Sequence, residues 1–108
     1  MKRYKAEKQE PYLSLILSGI KTVEGRLNKG KFKEMKVGDI IETSGFDFLV
    51  LEKNLYKSFK EMIEKEEVNN VIPDKETIDE AVKVYYKFYT KEQEKEFGVV
   101  AIKIRKMD

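Results

Sequence analysis

Apolar positions early in the chain recur at helical spacing and then give way to a tight polar cluster. Leu13, Ile16 and Leu17, with Leu15, place one buried face on a short helix. Glu10-Pro11 opens this helix, since proline is tolerated in a first turn where its missing N–H removes no bond. The helix runs to about Ser18, and Gly19 supplies the left-handed backbone that ends it. Lys21, Thr22, Glu24 and Arg26 follow at once. Residues 22–26 read as a strand around β-branched Val23, with Thr22, Glu24 and Arg26 on one face. Lys21, Val23 and Gly25 fall on the other face.

The remaining pattern is mixed. Residues 2–9 are polar, with Tyr4 opening a short edge strand, and residues 27–39 predict a loop holding at most a turn of helix. Residues 39–43 and 46–53 predict two strands joined at Ser44-Gly45 as an antiparallel hairpin. Ser58 with Glu61, and Thr77 with Glu80, are the N-terminal signatures of two helices. Phe59, Met62 and Ile63 form the apolar face of the first, which ends at Asn69-Asn70 before Pro73. Ile78, Ala81, Val82, Tyr85, Tyr86 and Tyr89 lie at helical spacings in the second. Residues 90–97 are charged and predict a loop, and residues 98–106 alternate as a half-buried last strand. Short strands with segregated helices indicate an α+β domain spanning residues 1–108. A small closed or nearly closed β-barrel with flanking helices would hide the strand edges.

Composition narrows the chemistry. The chain has no cysteine and no histidine, which removes disulfides, thiolate catalysis, histidine bases and the common zinc ligands. Oxygen-only sites for Mg²⁺ or Mn²⁺ stay open but have no clustered motif, and no metal and no cofactor are expected. The 22 basic and 20 acidic residues nearly cancel to +2, so any contact with a polyanion must come from a local basic patch. No apolar run approaches the ~20 residues that span a bilayer, and residues 1–10 lack the apolar stretch of a signal peptide. A soluble cytoplasmic protein without a membrane partner is expected. Abundant Lys and Glu fit a thermophilic source.

Four features carry candidate chemistry. Residues 25–31, GRLNKGK, match seven positions of a phosphate-binding loop, but Phe32 stands where a magnesium-binding hydroxyl belongs. That argues against a nucleoside triphosphatase. Lys21, Glu24 and Arg26 read either as a solvated strand face or as a groove, in which the cations meet phosphate and the carboxylate reads a base edge or moves a proton. Tyr85 and Tyr89 share a helix face while Tyr86 points elsewhere; they read either as core or as a stacking platform for a base. Lys29, Lys31, Lys33 and Lys36 read as a solvated loop or as a basic patch beside Arg26.

Residues 19–26, Gly19-Ile20-Lys21-Thr22-Val23-Glu24-Gly25-Arg26, match the Gly-x-Lys-x-x-Glu-x-Arg signature of the ASCH domain. The short helix of Tyr12 to Leu17 before them also resembles that family. So do the turn Val37-Gly38-Asp39 after them and the C-terminal half with Tyr85, Tyr86, Tyr89 and the strand Val99 to Ile104. The resemblance implies a PUA-like fold and a groove that binds RNA, a nucleoside or a nucleotide. Carried over, Gly19, Lys21, Glu24 and Arg26 would line that groove; Thr22 inside the signature, and Tyr85 and Tyr89 from the stacking reading, complete the candidate binding residues. Some bacterial relatives are amidohydrolases that remove the acetyl group of acetylcytidine. They keep the lysine, threonine and arginine corresponding to Lys21, Thr22 and Arg26 but place a nucleophilic threonine where this chain has Glu24. The resemblance therefore implies a binding module first. The alternative is a small hydrolase of acylated nucleosides or RNA in which Lys21 primes a water and Glu24 shuttles the proton.

Overall fold

The computed structural model describes residues 1–108. In chain order the elements are β1 (Arg3–Lys5), α1 (Tyr12–Leu17), β2 (Val23–Leu27), α2 (Gly30–Glu34), β3 (Ile40–Thr43), β4 (Phe46–Tyr56), α3 (Phe59–Glu66), α4 (Val68–Val71), α5 (Ile78–Tyr85), α6 (Lys91–Phe97) and β5 (Val99–Lys106). The strands form one sheet in the order β1-β3-β4-β5-β2. Only β1 and β3 run parallel; the other neighbours are antiparallel.

β5 is the spine of the fold because it pairs on both sides, with β4 and with β2. Its alternation sends Val99 and Ala101 into one apolar cluster with α3, α5 and β2. Val100, Ile102 and Ile104 enter a second cluster with Ile16 of α1, Ile41, Phe48 and Val50. The sheet therefore separates two half-cores. Phe59 organises the first: the Tyr85 ring stacks on it at 4.4 Å and the Tyr89 ring at 5.5 Å.

The fold is α+β as expected, but the sheet is not closed into a barrel. β1 and β2 are its two edges, and no ladder joins them. β1 holds only three residues, and the chain after it turns away to carry Lys8 down towards Glu24 of β2. Side chains tie β1 and the chain after it to α2 and β2 instead. Arg26 Nη2 donates to the Glu7 carbonyl at 2.9 Å, and the Lys31 ammonium donates to the Lys5 carbonyl.

Three further differences have local causes. Residues 90–97 form a helix, α6, because Thr90 and Gln93 cap it reciprocally, through Gln93 N–H to Thr90 Oγ1 at 3.1 Å and Thr90 N–H to Gln93 Oε1 at 2.9 Å. Its run of charges hides any apolar period. β4 extends to Tyr56 because Asn54, Leu55 and Tyr56 pair with Ala101, Val100 and Val99. The helix begun at Ser58 stops at Glu66, and Glu67, at φ 79°, turns the chain into the separate α4. No helix is long and apolar enough to cross a membrane.

Candidate functional site

The signature stretch is positioned from both ends. Gly19, at φ 83°, ends α1, and the N–H groups of Ile20 and Lys21 both bond the Leu15 carbonyl at 3.0 Å. Thr22 then joins α4 to the sheet: its N–H bonds Asn70 O, and its own carbonyl accepts from Ile104 N–H, each at 3.0 Å. β2 follows, with Glu24 opposite Ile102, Gly25 opposite Ala101 and Arg26 opposite Val100.

This anchoring buries the Lys21 side chain, which is only 3% exposed. Its ammonium donates to the Val23 carbonyl at 2.6 Å and to the Val71 carbonyl. The Tyr12 ring lies 5.8 Å from it. Burial first, and then the nearby Arg26 charge, push the Lys21 amine down to about 7, against an opposing pull from Asp74. Two of its hydrogens are held by backbone, so the amine's remaining valence is free of these bonds.

Glu24 is buried between two cations. It forms an ion pair with Lys8, and its Oε1 lies 3.6 Å from Arg26 Nε. Burial pushes Lys8 well below the usual lysine range, and the charges of Arg26 and Lys21 push the same way. The Arg26 guanidinium also packs over the Phe32 ring at 4.7 Å.

Lys8, Lys21, Glu24 and Arg26 share a cavity of 260 Å³. Tyr12, Tyr85, Phe88 and Tyr89 supply aromatic wall. Gly25 lets that wall approach the strand closely. A Cβ there would lie 2.8 Å from the Tyr85 hydroxyl and 2.7 Å from Met62 Sδ and Cε. The Tyr85 side chain is packed against Phe59, and its hydroxyl is buried near the Gly25 backbone without a formed hydrogen bond. Burial pushes its pKa up. Tyr86 points elsewhere and donates to Glu94 Oε1 at 2.7 Å.

The structure thus brings Lys21, Glu24, Arg26, Tyr85 and Tyr89 to one cavity. Gly19 and Thr22 are not in its lining: Gly19 ends a helix beside open space, and Thr22 acts through its backbone. Lys8, Tyr12 and Phe88 also line the cavity, and the sequence does not single them out as site residues. Lys8 sits among other N-terminal lysines and has no local mark, Tyr12 is the first residue of α1, and Phe88 falls just after α5. Lys29 and Lys31 line an adjoining cavity, whereas Lys33 and Lys36 line neither.

The arrangement offers cationic donors, one carboxylate acceptor and aromatic faces in one concave site. Such a set can seat a flat heterocycle and bond its edge.

A family model described as the ASCH domain matches residues 8–108. The crystal structure of hypothetical protein PH0355 superposes with a TM-score of 0.93 at 46% identity, covering 99% of this chain and 100% of that one. The solution NMR structure of protein PF0455 from Pyrococcus furiosus gives 0.84 at 40% identity, with 100% and 99% covered. No curated protein matches the chain.

Proposed function

The chain belongs to the ASCH domain family, and on that premise we propose that it binds RNA or a modified nucleoside by seating one base in the cavity beside β2. The observation that carries this reading is the joint lining of that cavity by Lys21, Glu24 and Arg26 with Tyr12, Tyr85 and Tyr89. Lys21 and Arg26 contact a carbonyl or phosphate oxygen. Glu24 accepts from an exocyclic amine, and the tyrosine rings cover the base face. Titration calorimetry with nucleosides and short RNAs tests the reading. Lys21→Ala and Arg26→Ala are expected to weaken binding about tenfold or more while the circular dichroism spectrum is kept. Equal affinity in both variants, or no binding by the native chain, overturns it.

A second reading is hydrolytic, and the Lys21 amine favours it. Pushed down to about 7 and held by two carbonyls, it is poised to take a proton from water at neutral pH. The hydroxide so formed adds to an acyl carbon, the C–N bond breaks, and the proton passes to the departing base amine. A carboxylic acid and the free nucleoside result. Glu24, paired with Lys8, is the group that relays the proton. Incubation with acetylcytidine, and with RNA plus Mn²⁺, tests this. Turnover no greater than that of a Glu24→Gln variant counts decisively against it.

A further inference from the structure

We propose that a second cavity adjoining the first binds the phosphodiester next to the seated base, so that the ligand is a base within an RNA strand rather than a free nucleoside. This rests on the base-binding reading above. The second cavity measures 380 Å³ and shares Arg26, Phe88 and Tyr89 with the first. Arg26, Phe88 and Tyr89 form the wall common to both.

The charge of this second cavity is one-sided. Arg26, Lys29 and Lys31 line it, and no carboxylate does. Neither lysine is in an ion pair; the nearest acid to Arg26, Glu24, lies in the first cavity and is shared with Lys8. The cations are held by other means. The Lys29 ammonium stands 4.8 Å over the Phe97 ring, and Lys31 and Arg26 stand 5.7 Å and 4.7 Å from the Phe32 ring. Aromatic faces and a backbone carbonyl order Lys29 and Lys31 without cancelling their charge, while Arg26 shares Glu24 with Lys8. An ordered, unneutralised pair of lysines beside Arg26 is what a phosphate needs.

The shared wall has a third feature. Phe88 lines both cavities and is 52% exposed, although it is a large apolar side chain. A ring left in solvent between a base site and a phosphate site is placed to stack on the neighbouring base.

The test compares the full chain with nucleosides, nucleoside monophosphates and a mixed-sequence RNA pentamer. The pentamer is expected to bind about tenfold more tightly than any nucleoside, with a salt slope of about 0.7 per phosphate neutralised that the nucleosides lack. Lys29→Ala with Lys31→Ala is expected to weaken the pentamer about tenfold more than it weakens the nucleosides. Phe88→Ala, an exposed position, gives a variant that folds and should shift the same ratio. Equal affinity and salt slope for pentamer and nucleoside overturn the phosphate site while the base site stands. A pentamer that depends on Lys29 and Lys31 but not on Lys21 overturns the base site and leaves the phosphate site standing. Failure of every probe to bind overturns both.

Discussion

The Lys21 ammonium bonds the main-chain carbonyl of Val71, fifty residues along the chain. The same ammonium bonds Val23 at the start of β2. One buried amine thus ties the signature stretch to α4, parallel to the backbone bond between Thr22 and Asn70. A charge placed there is costly, because burial disfavours the ammonium more than the two carbonyls favour it.

That cost should be visible as a pH dependence of stability. The folded-state value is lowered from the ordinary 10.5 to about 7. Below about 7 the amine is charged in both states, and the destabilisation is fully present. Between there and the ordinary lysine range only the unfolded chain holds the proton, so stability rises with pH. The rise is at most about 1.4 kcal/mol per pH unit. Denaturant unfolding at several pH values should show this slope in the native chain and a shallower one in Lys21→Met, where Lys8 and Lys53 still contribute in the same sense. Equal slopes would exclude Lys21 as the source.

The Tyr85 hydroxyl is buried at the cavity with no hydrogen-bond partner. An unsatisfied polar atom costs about 1–3 kcal/mol, which a ligand supplying a partner recovers. Tyr85→Phe should therefore leave the melting temperature equal or slightly higher while weakening the bound nucleoside or RNA several-fold. A parallel loss of stability and affinity would assign Tyr85 to packing alone.

Much of this was legible in the chain, for identifiable reasons. α1, β2, the β3–β4 hairpin, α3, α5 and β5 carry strong periods or caps, and each lies close to where its spacing put it. α6 is not legible although Thr90 and Gln93 are a capping pair, because its charged sequence shows no buried face. The closed barrel was inferred from the need to hide edges. The sheet stays open, and Arg26 and Lys31 tie the β1 segment to β2 and α2 through side chains, which no strand pattern records. At the site, Lys21, Glu24 and Arg26 could be selected because they are crowded into one short stretch. Lys8 could not, since its role arises only when the chain after β1 crosses to β2.

Glu94 supplies a prediction away from the cavity. It is buried and accepts from the Phe59 N–H at 2.8 Å and the Tyr86 hydroxyl at 2.7 Å, so it caps the start of α3 from α6. Glu94→Ala leaves both donors unpaired and should cost about 2–4 kcal/mol. Glu94→Gln retains an acceptor and should cost less. Neither is expected to alter ligand affinity in the residual folded protein. A loss under about 0.5 kcal/mol for Glu94→Ala would mean that water replaces the carboxylate.

Gly25 joins the packing of the fold to the shape of the site. It sits between Glu24 and Arg26, and its lack of a Cβ is filled by Met62 and the Tyr85 hydroxyl. Met62 is fully buried and cannot swing into solvent, and Tyr85 is fixed by its stack on Phe59. Gly25→Ala must therefore move one of them, at a cost of about 1–3 kcal/mol, and shift the aromatic wall of the cavity. Unfolding and ligand titration of Gly25→Ala should both show the loss. Met62→Ala removes the nearer obstacle, so the double variant should be less destabilised than the sum of the two single changes by about 0.5 kcal/mol or more. Strict additivity would show that the alanine is accommodated by the β2 backbone, and that Gly25 does not set the shape of the cavity.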